Sequence, residues 1–261
     1  MIKLVILGTG NVATHLFKAF FEADNVLVTQ VFGPDKAKLK IFSEKTQTTD
    51  SYDNLSEADV YLICVKDDVI EEVASKIPFQ HKLIAHTSGS LPLLNPKDHP
   101  TSRNGVFYPL QTFSKHTEVD FKSIPICLEA DDKHNYQLLK TLAEAISEKN
   151  YNISTAQRKS LHLAAVFACN FTNYMYRIGE EICKENHVPF DILHALITET
   201  ARKATLDSPS KIQTGPAIRD DKKTIETHLN QLENSDFKEI YILLTRKIRL
   251  LSSKRKNKEE M

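Results

Sequence analysis

The chain has 261 residues, of which 41% are hydrophobic and 26% are charged, as in an ordinary globular protein. Lysine plus arginine and aspartate plus glutamate number 34 each, so no net basic field argues for binding to nucleic acid or to an anionic membrane. No apolar run approaches the roughly 18 residues that cross a bilayer. The first residues run directly into a predicted strand and carry no signal-peptide pattern. We therefore expect a cytoplasmic protein with no membrane or nucleic-acid partner.

The cysteines and histidines give no sign of a disulfide framework or a metal site. Cys64, Cys127, Cys169 and Cys183 are widely spaced and form no C-x-x-C pair, which is typical of reduced thiols in a cytosolic protein. No histidine clusters with a cysteine at metal-ligand spacing. We expect no metal.

Residues 2–13 combine a β-branched apolar run with a G-x-G-x-x-A turn. Gly8 permits a tight turn from strand to helix, Gly10 leaves room for a pyrophosphate, and Ala13 lets the helix pack closely on the strand. The N-terminus of that helix carries unpaired N–H groups that attract phosphate. The alternative is a glycine-containing turn that binds no ligand. We expect these residues to contact a dinucleotide: Gly8, Thr9, Gly10, Asn11 and Val12.

The first half of the chain alternates predicted strands and helices. The run at 59–65 is almost continuously apolar, as expected of a strand buried on both faces of a parallel sheet. After the first strand, strands are predicted at 26–32, 59–65, 82–86, 105–108, 124–128 and 151–153, and helices at 35–45, 69–77 and 131–147. This alternation predicts a Rossmann domain, a doubly wound α/β fold with a parallel sheet, over residues 1–153.

The second half changes character after about Ser154. Glycine becomes scarce and apolar residues recur at helical spacing. Proline and glycine mark the breaks between helices. Helices are predicted at 155–186, 189–206, 223–233 and 236–253, which makes residues 154–261 an all-α domain.

Two neighbouring predicted strands deliver polar residues to the carboxyl edge of the sheet, where ligands of open α/β folds bind. Val65 and Lys66 end one strand, and Ser88 and Gly89 lie in the His-Thr-Ser-Gly-Ser loop after the next. Backbone N–H groups and the Ser88 hydroxyl could there approach a nicotinamide or a substrate. The alternative is a turn-rich loop that needs these residues for its geometry.

Residues 105–113 read Gly-Val-Phe-Tyr-Pro-Leu-Gln-Thr-Phe. By the same argument, Tyr108 and Gln111 are candidates to line the binding cleft. The alternative is a strand end that packs two aromatic rings.

The helix predicted to begin near residue 155 places polar side chains on a narrow arc. At about 100° per residue from Lys159, Asn170 falls at about +20°. Asn173 and His162 fall at about −40° and about −60° on the same scale. The arc could be the wet side of a surface helix, but Val166 lies inside it and the apolar remainder predicts a helix buried almost all round. Buried Lys and His side chains need a partner or a ligand, and both are readily tuned for proton transfer.

Residues 214–228 form a third candidate site. A Gly-Pro pair gives a rigid break before a helix, and Arg219 could clamp a carboxylate or phosphate through two parallel hydrogen bonds. Asp221 could orient that guanidinium or cap the following helix, while Thr224 and His228 share one helix face. The alternative is an ordinary helix start with surface charges.

Together these motifs resemble a known family over essentially the whole chain. They are Gly8-x-Gly10-x-x-Ala13, His86-Thr-Ser-Gly-Ser90, Tyr108-Pro-Leu-Gln-Thr-Phe113, Arg158-Lys-Ser-Leu-His162 with Asn170, and Gly215-Pro-x-x-Arg219-x-Asp221 with His228. The family has an N-terminal Rossmann-like NAD(P)-binding domain and a helical C-terminal domain of unknown function, and its members are labelled NADP oxidoreductases. The wider superfamily is similar to 6-phosphogluconate and β-hydroxyacid dehydrogenases, pyrroline-5-carboxylate reductase and deazaflavin-dependent NADP reductases. The resemblance implies a homodimer built through the helical domain and an active cleft between the two domains.

One departure from the family bears on cofactor choice. Relatives commonly read Ser-Arg where this chain has Gly33-Pro34. Lys36 and Lys38 could hold the 2′-phosphate of NADP as point charges, but Asp35 would oppose that. The resemblance favours NADP, and NAD stays possible.

The leading hypothesis is an NAD(P)-dependent oxidoreductase that transfers hydride between nicotinamide and a small anionic carbonyl, imine or hydroxy substrate. Its expected catalytic residues are Lys159 as general acid/base with His162 as the alternative, Asn170 and Ser88 to orient the substrate, Arg219 to bind its anionic group, and Asp221 to orient the Arg219 guanidinium. The rival hypotheses are a dinucleotide-binding sensor or scaffold dimer without catalysis, and a Rossmann enzyme of another reaction type.

Overall fold

The computed structural model describes residues 1–95, 103–115 and 117–259, with side chains as far as residue 251. The chain divides into two compact units, residues 1–170 and 171–261. Across the described residues, no helix is both long enough and apolar enough to span a membrane.

The first unit is built on a single sheet. Its strands are β1 (Ile2–Leu7), β2 (Val26–Phe32), β3 (Gln47–Thr49), β4 (Val60–Ile63), β5 (Leu83–His86), β6 (Arg103–Pro109), β7 (Ile126–Ala130) and β8 (Asn150–Asn152). They lie in the order β3-β2-β1-β4-β5-β6-β7-β8. All neighbours pair in parallel except β6 and β7, which are antiparallel. The first six strands follow the Rossmann order, so the predicted fold class is confirmed.

Helices cover both faces of this sheet. They are α1 (Asn11–Phe21), α2 (Lys36–Ser43), α3 (Ile70–Ser75) and α4 (Lys133–Glu144), and a fifth helix, α5 (Thr155–Ala165), follows β8. Side chains of β1 alternate between two apolar clusters: Leu4 and Ile6 join the cluster that includes α1 and α4, whereas Val5 and Leu7 join the one that includes α3. A strand buried on both faces explains why its sequence is apolar without alternation.

The described residues of the second unit form helices joined by turns, with no strand among them. A π-helical turn, Val166–Phe171, leads from α5 into α6 (Thr172–Glu185). The remaining helices are α7 (His194–Leu206), α8 (Pro209–Ile212), α9 (Pro216–Arg219), α10 (Lys222–Gln231) and α11 (Lys238–Glu259). The all-α prediction for the C-terminal part is confirmed, and the two short helices α8 and α9 begin at the prolines that mark the predicted breaks.

The two units meet in sequence at Asn170 and Phe171, so α5 groups with the sheet. A capping box between Ser154 and Gln157 starts α5, because each residue bonds the backbone or side chain of the other. The predicted division at residues 153 and 154 follows the change in secondary structure, and it stays a prediction.

Candidate functional site

The glycine turn after β1 has the geometry that a dinucleotide phosphate requires. Gly8 has a φ of +137°, and a Cβ built on it would lie 2.2 Å from the Cys64 carbonyl oxygen, so only glycine fits there. Gly10 is the N-cap of α1 and provides no side-chain cap. Nothing lies within 4 Å of a Cβ built on Gly10, which leaves space for a phosphate over the helix N-terminus. Ala13 is fully buried, as close packing of helix on strand demands.

The other residues of the turn have individual contacts. The Thr9 methyl fills the space beside Gly33, where a Cβ would lie only 2.5 Å away. The Asn11 side chain donates to the Phe113 carbonyl at 3.0 Å, and Val12 packs partly buried against the core. The turn thus fits a dinucleotide through its backbone and its open space.

A cavity of about 770 Å³ opens beside this turn. It is lined by Thr9, Gly10, Asn11, Thr14, His15, Phe17, Lys18, Asp35, Ala37, Lys38, Ile41, Phe42, Lys45 and Lys115. The cavity therefore runs from the glycine turn along α1 and α2, and four of its described lining residues are lysines.

Asp35 is the N-cap of α2. Its carboxylate accepts from the backbone N–H groups of Ala37 and Lys38 and lies 3.5 Å from the Lys38 ammonium. The backbone hydrogen bond from Lys38 is the main cause that lowers the pKa of Asp35. Lys36 is paired with Asp50 at 3.1 Å. Asp35 is thus engaged by its own helix, and of the two lysines predicted to read a 2′-phosphate, only Lys38 lines the cavity.

Hydrogen bonds of the His86 and Ser88 side chains stabilise the loop after β5. His86 is fully buried; its Nδ1 accepts from the Ser88 N–H at 3.2 Å and its Nε2 contacts the Pro92 carbonyl at 2.9 Å. Burial lowers the pKa of His86, so the neutral ring, with Nε2 as donor, fits these partners. The loop geometry depends on an uncharged imidazole.

Ser88 is buried and its hydroxyl has three hydrogen-bond partners. It donates to the Asp67 carboxylate at 2.8 Å and accepts from the N–H groups of Ser90 and Leu91, both at 3.0 Å. This arrangement matches the turn-forming alternative for the motif. Val65 is partly buried and Lys66 is exposed at the end of β4, so both remain candidates at the sheet edge.

Tyr108 and His162 form a hydrogen-bonded pair at the same edge of the sheet. The Tyr108 hydroxyl lies 3.1 Å from His162 Nδ1. Burial is the main cause that raises the pKa of Tyr108 to about 12, so its hydroxyl keeps its proton near neutral pH. A Cβ on Gly89 would lie 2.8 Å from both Nδ1 of His162 and Cζ of Tyr108. Tyr108 and His162 can therefore pack against the loop after β5 only because residue 89 has no side chain.

An ion pair joins Arg158 of α5 to the partly buried Glu129 of β7. Arg158 is fully buried; it donates to the Glu129 carboxylate and to the Leu91 carbonyl. Glu129 also accepts from the Thr155 N–H and hydroxyl at 2.8 to 3.0 Å. These contacts fasten α5 to β7 and to the loop after β5. Sequence reasoning missed Glu129, whose place at the end of a buried strand was the one available signal.

The prediction that Lys159, Asn170 and Asn173 share one helix face fails beyond residue 165. The α-helical turn angle stops applying at residue 166, where the π-helical turn begins, because a π-helix has more residues per turn. Asn170 and Asn173 are exposed, as is Lys159. The expectation of a helix buried almost all round is wrong for this chain, since Arg158 is the one buried residue of α5.

Arg219 and Asp221 belong to the second unit. Arg219 is exposed at the end of α9. Asp221 caps α10 by accepting from the Thr224 N–H at 3.1 Å and hydroxyl at 2.7 Å, and the hydroxyl bond is the main cause that lowers its pKa. The Nδ1 atom of His228 is hydrogen-bonded to the Tyr241 hydroxyl at 2.8 Å. Of the two roles predicted for Asp221, the structure therefore contains the helix cap.

No group of three or more His, Cys, Asp or Glu side chains that could hold a metal ion occurs among the described residues.

Comparison with known proteins places the chain in a family. Residues 3–88 match the family model described as NADP oxidoreductase, coenzyme F420-dependent, and residues 124–248 match a domain of unknown function (DUF2520). An imine reductase from Myxococcus stipitatus, solved with NADP+, has 13% identity and a TM-score of 0.67 over 95% of this chain and 93% of its own. A pyrroline-5-carboxylate reductase from Coxiella burnetii has 16% identity and a TM-score of 0.57 over 97% and 98%. These two reductases share the fold of this chain. No curated protein matches the chain.

A protein of Bacteroides fragilis assigned as an NADP oxidoreductase is much more similar. It is 38% identical over 95% of this chain and 98% of its own, with a TM-score of 0.87. Identity at this level over nearly all of both chains shows common descent, and with the oxidoreductase match at the glycine turn it leads to one conclusion: this protein belongs to the same family of NADP oxidoreductases.

Proposed function

We propose that the protein is an NADP-dependent reductase of small anionic imines or carbonyl compounds, in which His162, held by Tyr108, carries the proton. The observation that carries the proposal is the 3.1 Å contact between the Tyr108 hydroxyl and His162 Nδ1. It lies at the same sheet edge and in the same unit as the glycine turn that fits a dinucleotide. Similarity in fold to imine and pyrroline-5-carboxylate reductases supports the substrate class.

Reduction of an imine or carbonyl needs one hydride and one proton. NADPH, when bound, supplies the hydride. Tyr108 engages Nδ1 of His162 and leaves Nε2 as the ring nitrogen for the substrate. A protonated His162 would give its Nε2 proton to the substrate nitrogen or oxygen while Nδ1–H donates to the Tyr108 oxygen. Tyr108 acts by fixing the ring, since its hydroxyl stays protonated.

Residues of the glycine turn would hold the cofactor. Backbone N–H groups at the start of α1 bind the pyrophosphate over Gly10. The lysines of the adjacent cavity favour a cofactor with an additional phosphate, which is NADP. For Lys159, Asn170 and Arg219, a substrate contact stays a prediction from the sequence.

The test is a turnover assay with NADPH against a panel of cyclic imine carboxylates and 2-oxo acids. With a substrate in hand, His162→Gln should lower kcat about 100-fold, and Tyr108→Phe about tenfold, while NADPH affinity changes little. Lys159→Ala is the matched comparison on the same helix. A large loss in Lys159→Ala with normal turnover in His162→Gln would overturn the assignment. Cofactor binding without turnover of any compound would favour the sensor hypothesis.

We further propose that the protein is a homodimer. Large apolar side chains are exposed on the helices: Leu163 and Phe167 are 59% and 62% exposed in the first unit, and Leu196 and Leu206 are 63% and 70% exposed in the second. Exposed apolar surface of this kind is usually covered by another protein surface. Light scattering should give twice the chain mass, and Leu196→Asp should give monomers. A monomeric wild-type protein would contradict the proposal.

A further inference from the structure

The segment 110–115, which follows β6, is fastened across the first turns of α1. The Asn11 side chain donates to the Phe113 carbonyl at 3.0 Å, and His15 Nε2 contacts the Ser114 carbonyl at 2.9 Å. The rings of His15 and Phe113 also pack together, with centroids 5.2 Å apart. Three contacts therefore fix the backbone immediately before Lys115.

This attachment brings Lys115 into the cavity beside the glycine turn. Among the described lining residues, Lys115 is the one that comes from neither the glycine turn, α1, nor the α2 region. Asp35 is the only acidic side chain among the described lining residues. The cavity is thus a positively charged space, and one of its charges is delivered from a distant part of the chain.

The charges that would normally read an adenosine 2′-phosphate are weakened here. Position 33 has no side chain, and the Thr9 methyl occupies its place. Lys36 is paired with Asp50, and Lys38 lies beside the Asp35 carboxylate. The first two lysines after β2, in the region that supplies these contacts in most Rossmann folds, are therefore each opposed by a carboxylate.

We propose that Lys115 binds the 2′-phosphate of NADPH and sets the preference for NADP over NAD, with His15 as its positioning residue. The inference rests on the proposed function, because it assigns a ligand within the proposed cofactor site. An ammonium is a compact point charge that binds phosphate well. The 2′-phosphate is the single group that distinguishes the two cofactors, so its ligand can be found by comparing them.

The test is calorimetric titration of NADPH and of NADH into the wild-type chain and Lys115→Gln. Lys115→Gln should weaken NADPH binding about tenfold and change NADH binding less than about twofold. The NADPH loss should shrink at high salt, where exposed charges are screened. Lys122→Gln is the matched control, because Lys122 is exposed on the same connection between β6 and β7 and lies outside this cavity.

Two results would overturn the assignment of Lys115: unchanged NADPH affinity, or equal losses for both cofactors, which would place the charge on the shared pyrophosphate. A wild-type chain that binds neither cofactor would instead contradict the proposed function, and this assignment with it.

The positioning role of His15 is tested by His15→Phe, which keeps a ring against Phe113 and removes the hydrogen bond to Ser114. This variant should weaken NADPH binding about threefold by itself and cause no further loss in a Lys115→Gln background. Additive losses would show that His15 acts independently of Lys115. Thermal unfolding of each variant confirms that the fold is intact.

Discussion

Tyr108 and His162 are joined by a 3.1 Å contact although they lie 54 positions apart in sequence. One comes from the end of a sheet strand and the other from α5, and the backbone at Gly89 passes so close that a Cβ there would lie 2.8 Å from each. The sheet edge, the loop after β5 and α5 thus converge on one pair of side chains. A pair held on three sides suits proton transfer, because little reorganisation is left for the reaction.

Gly89→Ala should separate the pair. The added methyl group cannot fit at 2.8 Å, so Tyr108 or His162 must move and their hydrogen bond should lengthen or break. We expect kcat to fall about tenfold, and the imidazole NMR signals of His162 to shift. Ser90→Ala, one residue along the loop, is the control. Unchanged His162 signals in Gly89→Ala would contradict this packing.

Replacement by alanine should destabilise the fold much more at Gly8 than at Gly10. Gly8→Ala combines a φ of +137° with a Cβ at 2.2 Å from a backbone carbonyl, and we expect a loss of about 3 kcal/mol in unfolding free energy. Gly10→Ala meets open space and should change stability by less than about 1 kcal/mol. Urea unfolding of the two variants measures both. Equal stability losses would mean that the turn is not built as described.

Arg158 and Glu129 should be strongly coupled. Arg158→Leu leaves the Glu129 carboxylate without its buried cation, and we expect a loss of about 3 to 5 kcal/mol in unfolding free energy. The double variant Arg158→Leu with Glu129→Leu should lose less than the two single variants together, because no charge is left unpaired. A double-mutant cycle by chemical denaturation gives the coupling. Strict additivity would contradict the pairing.

His86 should make the fold sensitive to mild acid. Burial lowers its pKa in the folded chain, so below the unfolded value of about 6.5 the unfolded chain binds a proton that the folded chain does not. The stability that a neutral His86 contributes is complete above about pH 6.5 and is lost as the pH falls toward the folded pKa. His86→Gln, which keeps an uncharged N–H, should flatten the decline in unfolding free energy between about pH 7.5 and about pH 5.5. An identical decline in both proteins would count against a buried neutral imidazole.

Much of the fold was predictable because its signals are local. The apolar runs of β1, β2 and β4 and the glycine turn identify a parallel sheet, and β2 begins and ends at the predicted residues. The sequence of β3, Gln-Thr-Thr, has no apolar run, so no pattern marks it. The antiparallel pairing of β6 with β7 could not be predicted either, since strand direction depends on how the connection crosses the sheet.

The site was less predictable because its contacts are distant in sequence. The motif around Ser88 suggested a substrate contact, yet its hydroxyl is taken up by Asp67 and two backbone N–H groups. Arg158 is buried because Glu129 lies opposite it in the fold, and nothing in the local sequence records that. The π-helical turn at 166–171 changes which side chains share one face of the helix. No residue type in that segment predicts such a turn.

The central claim, a dinucleotide site at the glycine turn, is tested most directly by calorimetric titration of the purified protein with NADPH and with NADH, beside Gly10→Glu, whose side chain fills the open space over the start of α1. We predict saturable binding of both cofactors by the wild-type protein, tighter for NADPH, and no binding by Gly10→Glu. If the folded wild-type protein binds neither cofactor, the account of this site is wrong.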